Sequence, residues 1–501
     1  MQFIALLLLL PVFLFTQDSL RSSVYKKKGL RYTGIRIVQP SDVTYRLWEG
    51  FTLVRKANAG DAAALHELGI RYLTGEGFPA DTVKAFQLIK SAAEKKYLLA
   101  HFNLGVFYHN GWGTNWNPFE AYKNFKYAAE NDLKEGEYAY GLYFTDDLAV
   151  QRNWKVAYQW VKKSADQNYE PAKEVVGELA RLAAKQESDS SSSEKRDSTA
   201  SNSTLFEPVL LDFAMNDSQQ KEESDRAIDI VKALGQYWQD KIKKLSVVND
   251  TILFSLLNDH AQWGVPEEFT VLGRFYEKGI GVEQDSLKAV LEYLRATRLE
   301  SRRAPSLLLR ILSNRHLVDE IQRRSKRGDP ESMYAVSCFA LSQLYPAQKK
   351  EDIIVFLQKA SQSRYVPAMI ELANAYFSGQ LVMQQKEKAE HLWDNALKLG
   401  CKEAEVRIAS AKIIAGYGTM STDSAFAIIE RGNNEESLLA EVTLGLCYEK
   451  GIVVERKLSE AAKYYRRASS RGSKVAYASL RRMYDAIRPV DKEFQITDSL
   501  E

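Results

Sequence analysis

The residues of this chain whose types could do chemistry are six histidines, three cysteines, scattered acid pairs and paired glycines. His66, His101, His109, His260, His316 and His391 nowhere show the His-x-x-x-His spacing that puts two imidazoles on one helix face, and none pairs with a nearby cysteine at metal spacing. Cys338, Cys401 and Cys447 are odd in number and cannot complete a disulfide framework, so they read as small buried apolar residues. Asp146–Asp147 and Glu222–Glu223 are carboxylate pairs without a motif around them and read as solvated. Gly75 and Gly77, Gly111 and Gly113, and Gly279 and Gly281 could cradle a phosphate, but no Lys-Ser/Thr pair follows any of them. There is no Gly-x-Ser-x-Gly elbow. The expectation is a protein that is not an enzyme, with no cofactor, no metal and no small-molecule substrate. The most unusual stretch is "NGWGTNWNP", Asn110 to Pro118, with Trp112 and Trp116. These rings either pack on an adjoining unit or anchor a protein partner, since Trp on a rigid scaffold is a frequent hot spot.

The elements that position these residues repeat. With Gly69 as column zero, Gly105, Gly141 and Gly177 follow at steps of 36. Gly273 comes after an interruption, and Ser337, Ala373, Ala409, Gly445 and Arg481 are again 36 apart. A period near 36 marks a helical solenoid. The preceding column is apolar throughout: Leu68, Leu104, Tyr140, Val176, Leu272, Val336, Leu372, Ile408, Leu444 and Leu480. Three residues after zero stand Tyr72, Tyr108, Phe144, Tyr276, Tyr376, Tyr448 and Tyr484, on one helix face. Small residues at zero imply a close helix–helix contact, because Gly costs about 1 kcal/mol of helix propensity against Ala.

The paired glycines end the first helix of each unit in a left-handed conformation. Twelve residues after zero, Asp81, Asn117, Asn153, Asp285 and Ser421 are N-caps of a second helix, and "NPFE" at Asn117 to Glu120 reads as a capping box. Four residues on, Ala85, Ala121, Ala157, Ala289, Ala389, Ala425 and Ala461 let that helix nest on the first, with Ile353 the exception. The unit is a helical hairpin whose apolar faces need neighbours.

The stretches "ALHELGIRYLTGEGFPADTVKAFQLIKSAAE", "FTVLGRFYEKGIGVEQDSLKAVLEYLRAT" and "AEVTLGLCYEKGIVVERKLSEAAKYYRRAS" resemble the Sel-1-like repeats, relatives of the tetratricopeptide repeats. The resemblance covers about Asp61 to Gly177 and Pro266 to Ala486. It implies an all-α protein, an α-α superhelical solenoid of about ten helix-turn-helix repeats in two blocks that binds other proteins.

Around these blocks the composition changes. Residues 1–17, "MQFIALLLLLPVFLFTQ", hold an uncharged apolar run of about 14 that reads as a signal peptide, with a short N-terminal anchor or a buried helix as the alternatives. Blocks are expected at 42–185 and 266–488. The serine-rich stretch 186–225 reads as a disordered loop, 226–265 as an irregular, off-register helical connector, and 489–501 as a tail. Around Ala304 to Asp329 a unit is shortened, since the step from Gly273 to Ser337 is 64. Asn202, Asn216 and Asn249 open N-x-Ser/Thr sequons, acceptors for glycans in the secretory pathway. Lys and Arg number 68 against 65 Asp and Glu, a net +3 that offers no basic face to nucleic acid.

A signal-like start, two repeat blocks, a polar insert and sequons together look like the lumenal substrate-receptor subunit of the Hrd-type ubiquitin ligase complex. That family's C-terminal membrane helix has no counterpart in "DKEFQITDSLE". The resemblance implies an adaptor of the endoplasmic-reticulum lumen. Its partners would be misfolded glycoproteins and a membrane subunit of the ligase. A secreted or periplasmic scaffold and a cytosolic regulatory scaffold are the alternatives.

Overall fold

The computed structural model describes residues 50–192, 226–342 and 350–496. Within them are 24 α-helices, one 3-10 turn and no strand. The chain forms two compact units. Among the described residues the first comprises 50–192, 458–462 and 478–496, and the second 226–342, 350–457 and 463–477. Residues 1–17, Asn202 and Asn216 lie outside the described residues, as does 193–225 of the expected loop.

Each unit is a stack of helical hairpins, and the second repeat shows why the sequence folds this way. Leu98–Asn110 ends at Gly111, left-handed at φ 63°, whose N–H returns to the Phe107 carbonyl. Pro118–Glu130 begins under Asn117, whose side chain accepts from the N–H groups of Phe119 and Glu120. The capping box does not close. Glu120 pairs with Lys123 at 3.0 Å, and the Asn117 N–H donates instead to the Tyr108 carbonyl at 3.0 Å. The same bond, from the cap residue back to the carbonyl of the tyrosine column, recurs at Asp81, Asn153, Asp285, Gln385 and Lys457. It fixes the angle of the hairpin and leaves the box without a donor to serve.

Column zero is a contact between the two helices of a unit. A Cβ on Gly105 would lie 2.6 Å from the Phe125 ring, one on Gly273 2.5 Å from Tyr293, and one on Gly445 2.6 Å from Tyr465. The large residue is always twenty positions on. Ala85, Ala121, Ala157, Ala289, Ala389, Ala425 and Ala461 are fully buried beside it. Gly177 departs from this pattern: a Cβ there would meet nothing within 4 Å. Its helix, Glu170–Ser192, has no second helix following it among the described residues. That helix also runs seven residues into the stretch read as a disordered loop.

The connector is in register after all. Tyr237 stands 36 residues before Gly273, and twelve residues further Asn249 caps Asp250–Ala261, accepting from the Ile252 N–H at 2.8 Å. The sequence pattern hides this because the first helix is split into Ala227–Ala233 and Gln236–Lys243 around Gly235, and because Leu253 replaces the nesting Ala. The shortened unit is a hairpin with its corner trimmed: Ala304–Leu312 and Arg315–Lys326 are joined by Ser313 and Asn314 alone.

Candidate functional site

In the first unit the third repeat is irregular, and that irregularity builds a surface feature. Its first helix, Lys134–Leu142, is four residues shorter than the 13-residue first helices of the two repeats before it. The chain then turns through residues 143–152, held by Asp147, which accepts from the Arg152 N–H at 2.8 Å and pairs with its guanidinium at 2.8 Å. Asp146 accepts from the Leu148 N–H at 3.1 Å. The acid pair is therefore a turn-forming device. The carbonyls of Leu148 and Ala149 stand in this turn, outside any helix. Arg488 donates to both, at 2.7 and 3.1 Å, and to the Phe494 carbonyl at 2.7 Å.

Residues 487–496 are thus no free tail. The short turn Lys492–Phe494 drives the Phe494 ring to 0 % exposure, edge-on to Phe119 and Tyr122 with centroids 5.0 and 5.3 Å away. Glu493 pairs with Lys126 at 3.0 Å, and Lys123 stands 5.9 Å over the Phe494 ring. Its hydrogen bond to the Glu493 carboxylate is the main reason the Lys126 ammonium is held above its usual range. Tyr122 is pushed up by burial first, and then by its bond with Tyr140. Residues on either side of Phe494 are exposed, Val490 almost wholly. One deep aromatic anchor with a charged rim is the arrangement of a peptide in a recognition groove.

Trp116, expected as a partner anchor, is 5 % exposed and edge-on to Tyr484 at 5.2 Å. A ring so enclosed packs this unit and presents no surface, so the packing role is the one the structure gives it. Trp112 is half-buried, edge-on to Phe107 at 5.9 Å, and keeps an accessible face. Asn249 is exposed at the start of its helix, and its cap bond uses the amide oxygen, leaving the nitrogen to carry a glycan. The Phe494 seat lies outside the residues that the sequence pattern singled out. The one signal was a lone Phe after a Glu in a polar stretch.

The second unit holds the other concentration of ionisable side chains. His260 lies between Glu268 at 2.7 Å and Glu435 at 3.0 Å, Trp238 donates to Glu268 at 2.7 Å, and Tyr237 donates to Glu435 at 2.9 Å. Nearby, Arg471 grips Glu267 with two bonds of 2.9 and 2.8 Å and reaches Glu441 at 2.9 Å and the Glu436 carbonyl at 2.8 Å. Burial is what raises the Glu268 carboxyl. These groups tie residues 237–268 to residues 435–471 and serve one another, which makes them a closing network.

The remaining histidines are engaged or exposed. Asn103 donates to His66 at 2.7 Å, His101 stacks on Tyr127, and His316 and His391 face solvent. The three cysteines are buried and unpaired, and burial pushes their thiols up to about 12 for Cys338 and Cys447 and about 11 for Cys401. Among the described residues no group of three His, Cys, Asp or Glu is placed to hold a metal, and no helix is long and apolar enough to cross a membrane.

Comparison with known proteins agrees with this repeat structure. No curated protein matches the chain. Among the solved structures that align, two do so at low identity. One is c5321, a protective antigen of uropathogenic Escherichia coli displaying an SLR fold, at 19 % identity over 89 % of this chain and 84 % of that one, TM-score 0.28. The other is a Sel1 repeat protein from Oxalobacter formigenes, at 17 % over 69 % and 95 %, TM-score 0.21. The Sel1 repeat model matches residues 62–97, 98–133, 134–169, 271–299, 366–401 and 439–473, so Sel1 repeats are present in this chain, in the hairpins described above.

Proposed function

We propose that this chain is a protein-recruiting adaptor of the secretory pathway, working in the endoplasmic-reticulum lumen to bring misfolded glycoproteins to a degradation ligase. The observation that carries the adaptor reading is the groove of the first unit, where an extended segment is held by one buried ring, one ion pair and backbone bonds from Arg488. Stacked hairpins present long surfaces of this kind, and Sel1 repeats generally mediate protein–protein contact. The lumenal reading is supported by the apolar start of the sequence and by an exposed sequon at Asn249.

Expression in a eukaryotic secretory cell followed by endoglycosidase treatment tests the location. A mobility shift that shrinks in Asn249→Gln supports it. An unshifted full-length chain that still carries its first 17 residues overturns it. Co-precipitation with the membrane subunit of the ligase tests the degradation role. Trp112 remains a proposed partner contact. Trp112→Ala should weaken capture by about 2 kcal/mol if it is a hot spot, and unchanged capture removes it from the site.

A further inference from the structure

The same groove carries a more specific reading. Phe494 inserts between Phe119 and Tyr122, Glu493 meets Lys126, and Lys123 covers the ring. Lys492 and Gln495 on either side of this pair are exposed, and Phe494 is the one fully buried residue of the segment. Arg488 then closes the segment on the Leu148 and Ala149 carbonyls, in the turn that follows the third repeat's short first helix. The chemistry of this seat selects an acidic residue followed directly by an aromatic one.

We propose that this seat is a recognition site for a partner peptide bearing an acidic–Phe pair, and that residues 488–496 occupy it in cis as a resident ligand that the partner displaces. The proposal deepens the adaptor reading and rests on it. A segment tethered to its own seat sits at an effective concentration on the order of millimolar, so a peptide of the same sequence added in trans binds the intact chain weakly. Removing the resident ring uncovers the seat.

The probe is a fluorescent peptide, RPVDKEFQI, titrated by anisotropy onto the full chain. Phe494→Ala is expected to bind it at least tenfold tighter than the unsubstituted chain, and a peptide with its Phe replaced by Ala should lose that gain. Equal affinity for both chains overturns the proposal, because the resident segment then blocks nothing. Absence of binding to a Phe494→Ala chain with unchanged helical circular dichroism overturns it as well. Should that variant lose its helical signal, Glu493→Lys loosens the segment by one ion pair and should still capture the peptide at least threefold tighter than the unsubstituted chain; no gain there counts against the site. A concentration-dependent dimer that vanishes in Phe494→Ala would show that a second copy's tail is the occupant, and would also overturn it. None of these outcomes bears on the glycan or co-precipitation results, so the two readings fail separately.

Discussion

At the scale of single residues, a glycine in a repeat column has to be judged by its neighbour. Gly105 and Gly177 occupy the same column, yet only Gly105 faces a ring. Gly105→Ala should overpack Phe125 and cost about 1–3 kcal/mol, and shrinking that ring in Phe125→Leu should recover part of the loss. Gly177→Ala should be neutral or raise stability by about 0.5–1 kcal/mol, as expected for Gly to Ala in an open helix position. Urea melts of the three variants check both statements; equal losses at the two glycines would refute the contact. His66 gives a pH prediction. It is fully buried, and loss of hydration brings its pKa down to about 3 from 6.5. Between those values the unfolded chain binds a proton that the folded one does not, so stability falls as pH drops below 6.5. At pH 5 the imidazole costs about 2 kcal/mol relative to pH 7. His66→Gln, which can still accept from Asn103, should flatten the melting temperature between pH 7 and 5 compared with the parent.

At the scale of elements, the sequence pattern revealed the hairpin and missed the seam between hairpins. Twenty-seven residues after column zero, Lys96, Asp132, Asn168, Glu300, Arg364 and Glu436 all have φ of 60–65°, and Gly264, Gly400 and Gly472 fill the same position in other units. A mixed set of side chains concealed a uniform backbone, because the turn demands a left-handed residue without demanding a glycine. The strain is real for a Cβ-bearing residue, about 1–2 kcal/mol, offset by the greater freedom glycine has when unfolded. Lys96→Gly should therefore stabilise by about 0.5–1 kcal/mol, while Asn168→Gly should change little because Asn tolerates the conformation. Thermal melts that show Lys96→Gly destabilising would mean that its stem contributes packing. The connector was obscured for a related reason: Gly235 splits its first helix and erases the periodic signal, although its cap Asn249 and its left-handed Gly264 are in place.

At the scale of the molecule, what could not be read in advance were contacts between residues remote in sequence. Arg471 and Glu267 are 204 positions apart, and Arg488 and Leu148 are 340 apart. No local periodicity encodes either pairing; both depend on how many hairpins intervene and how each one turns. The column pattern did reveal fold class, repeat length and the buried side of each helix, because those are set within 36 residues. Arg471→Ala removes the two-bonded partner of the part-exposed Glu267, while Glu441 keeps Arg467, and should cost about 1.5–3 kcal/mol. In a double-mutant cycle with Glu267→Ala the coupling should exceed about 1 kcal/mol. Additive losses would show that the closure of the second unit does not depend on this pair.

The turn that follows the short helix of the third repeat also has a consequence in time. Its Leu148 and Ala149 carbonyls precede Arg488 and Phe494 by about 340 residues of synthesis. At ribosomal speeds of about 5–20 residues per second, the groove stands vacant for roughly 20–70 s during each round of synthesis. A nascent chain thus passes through a receptive stage before residues 488–496 close it, and any molecule that engages the groove early has a head start over the segment that later competes for it.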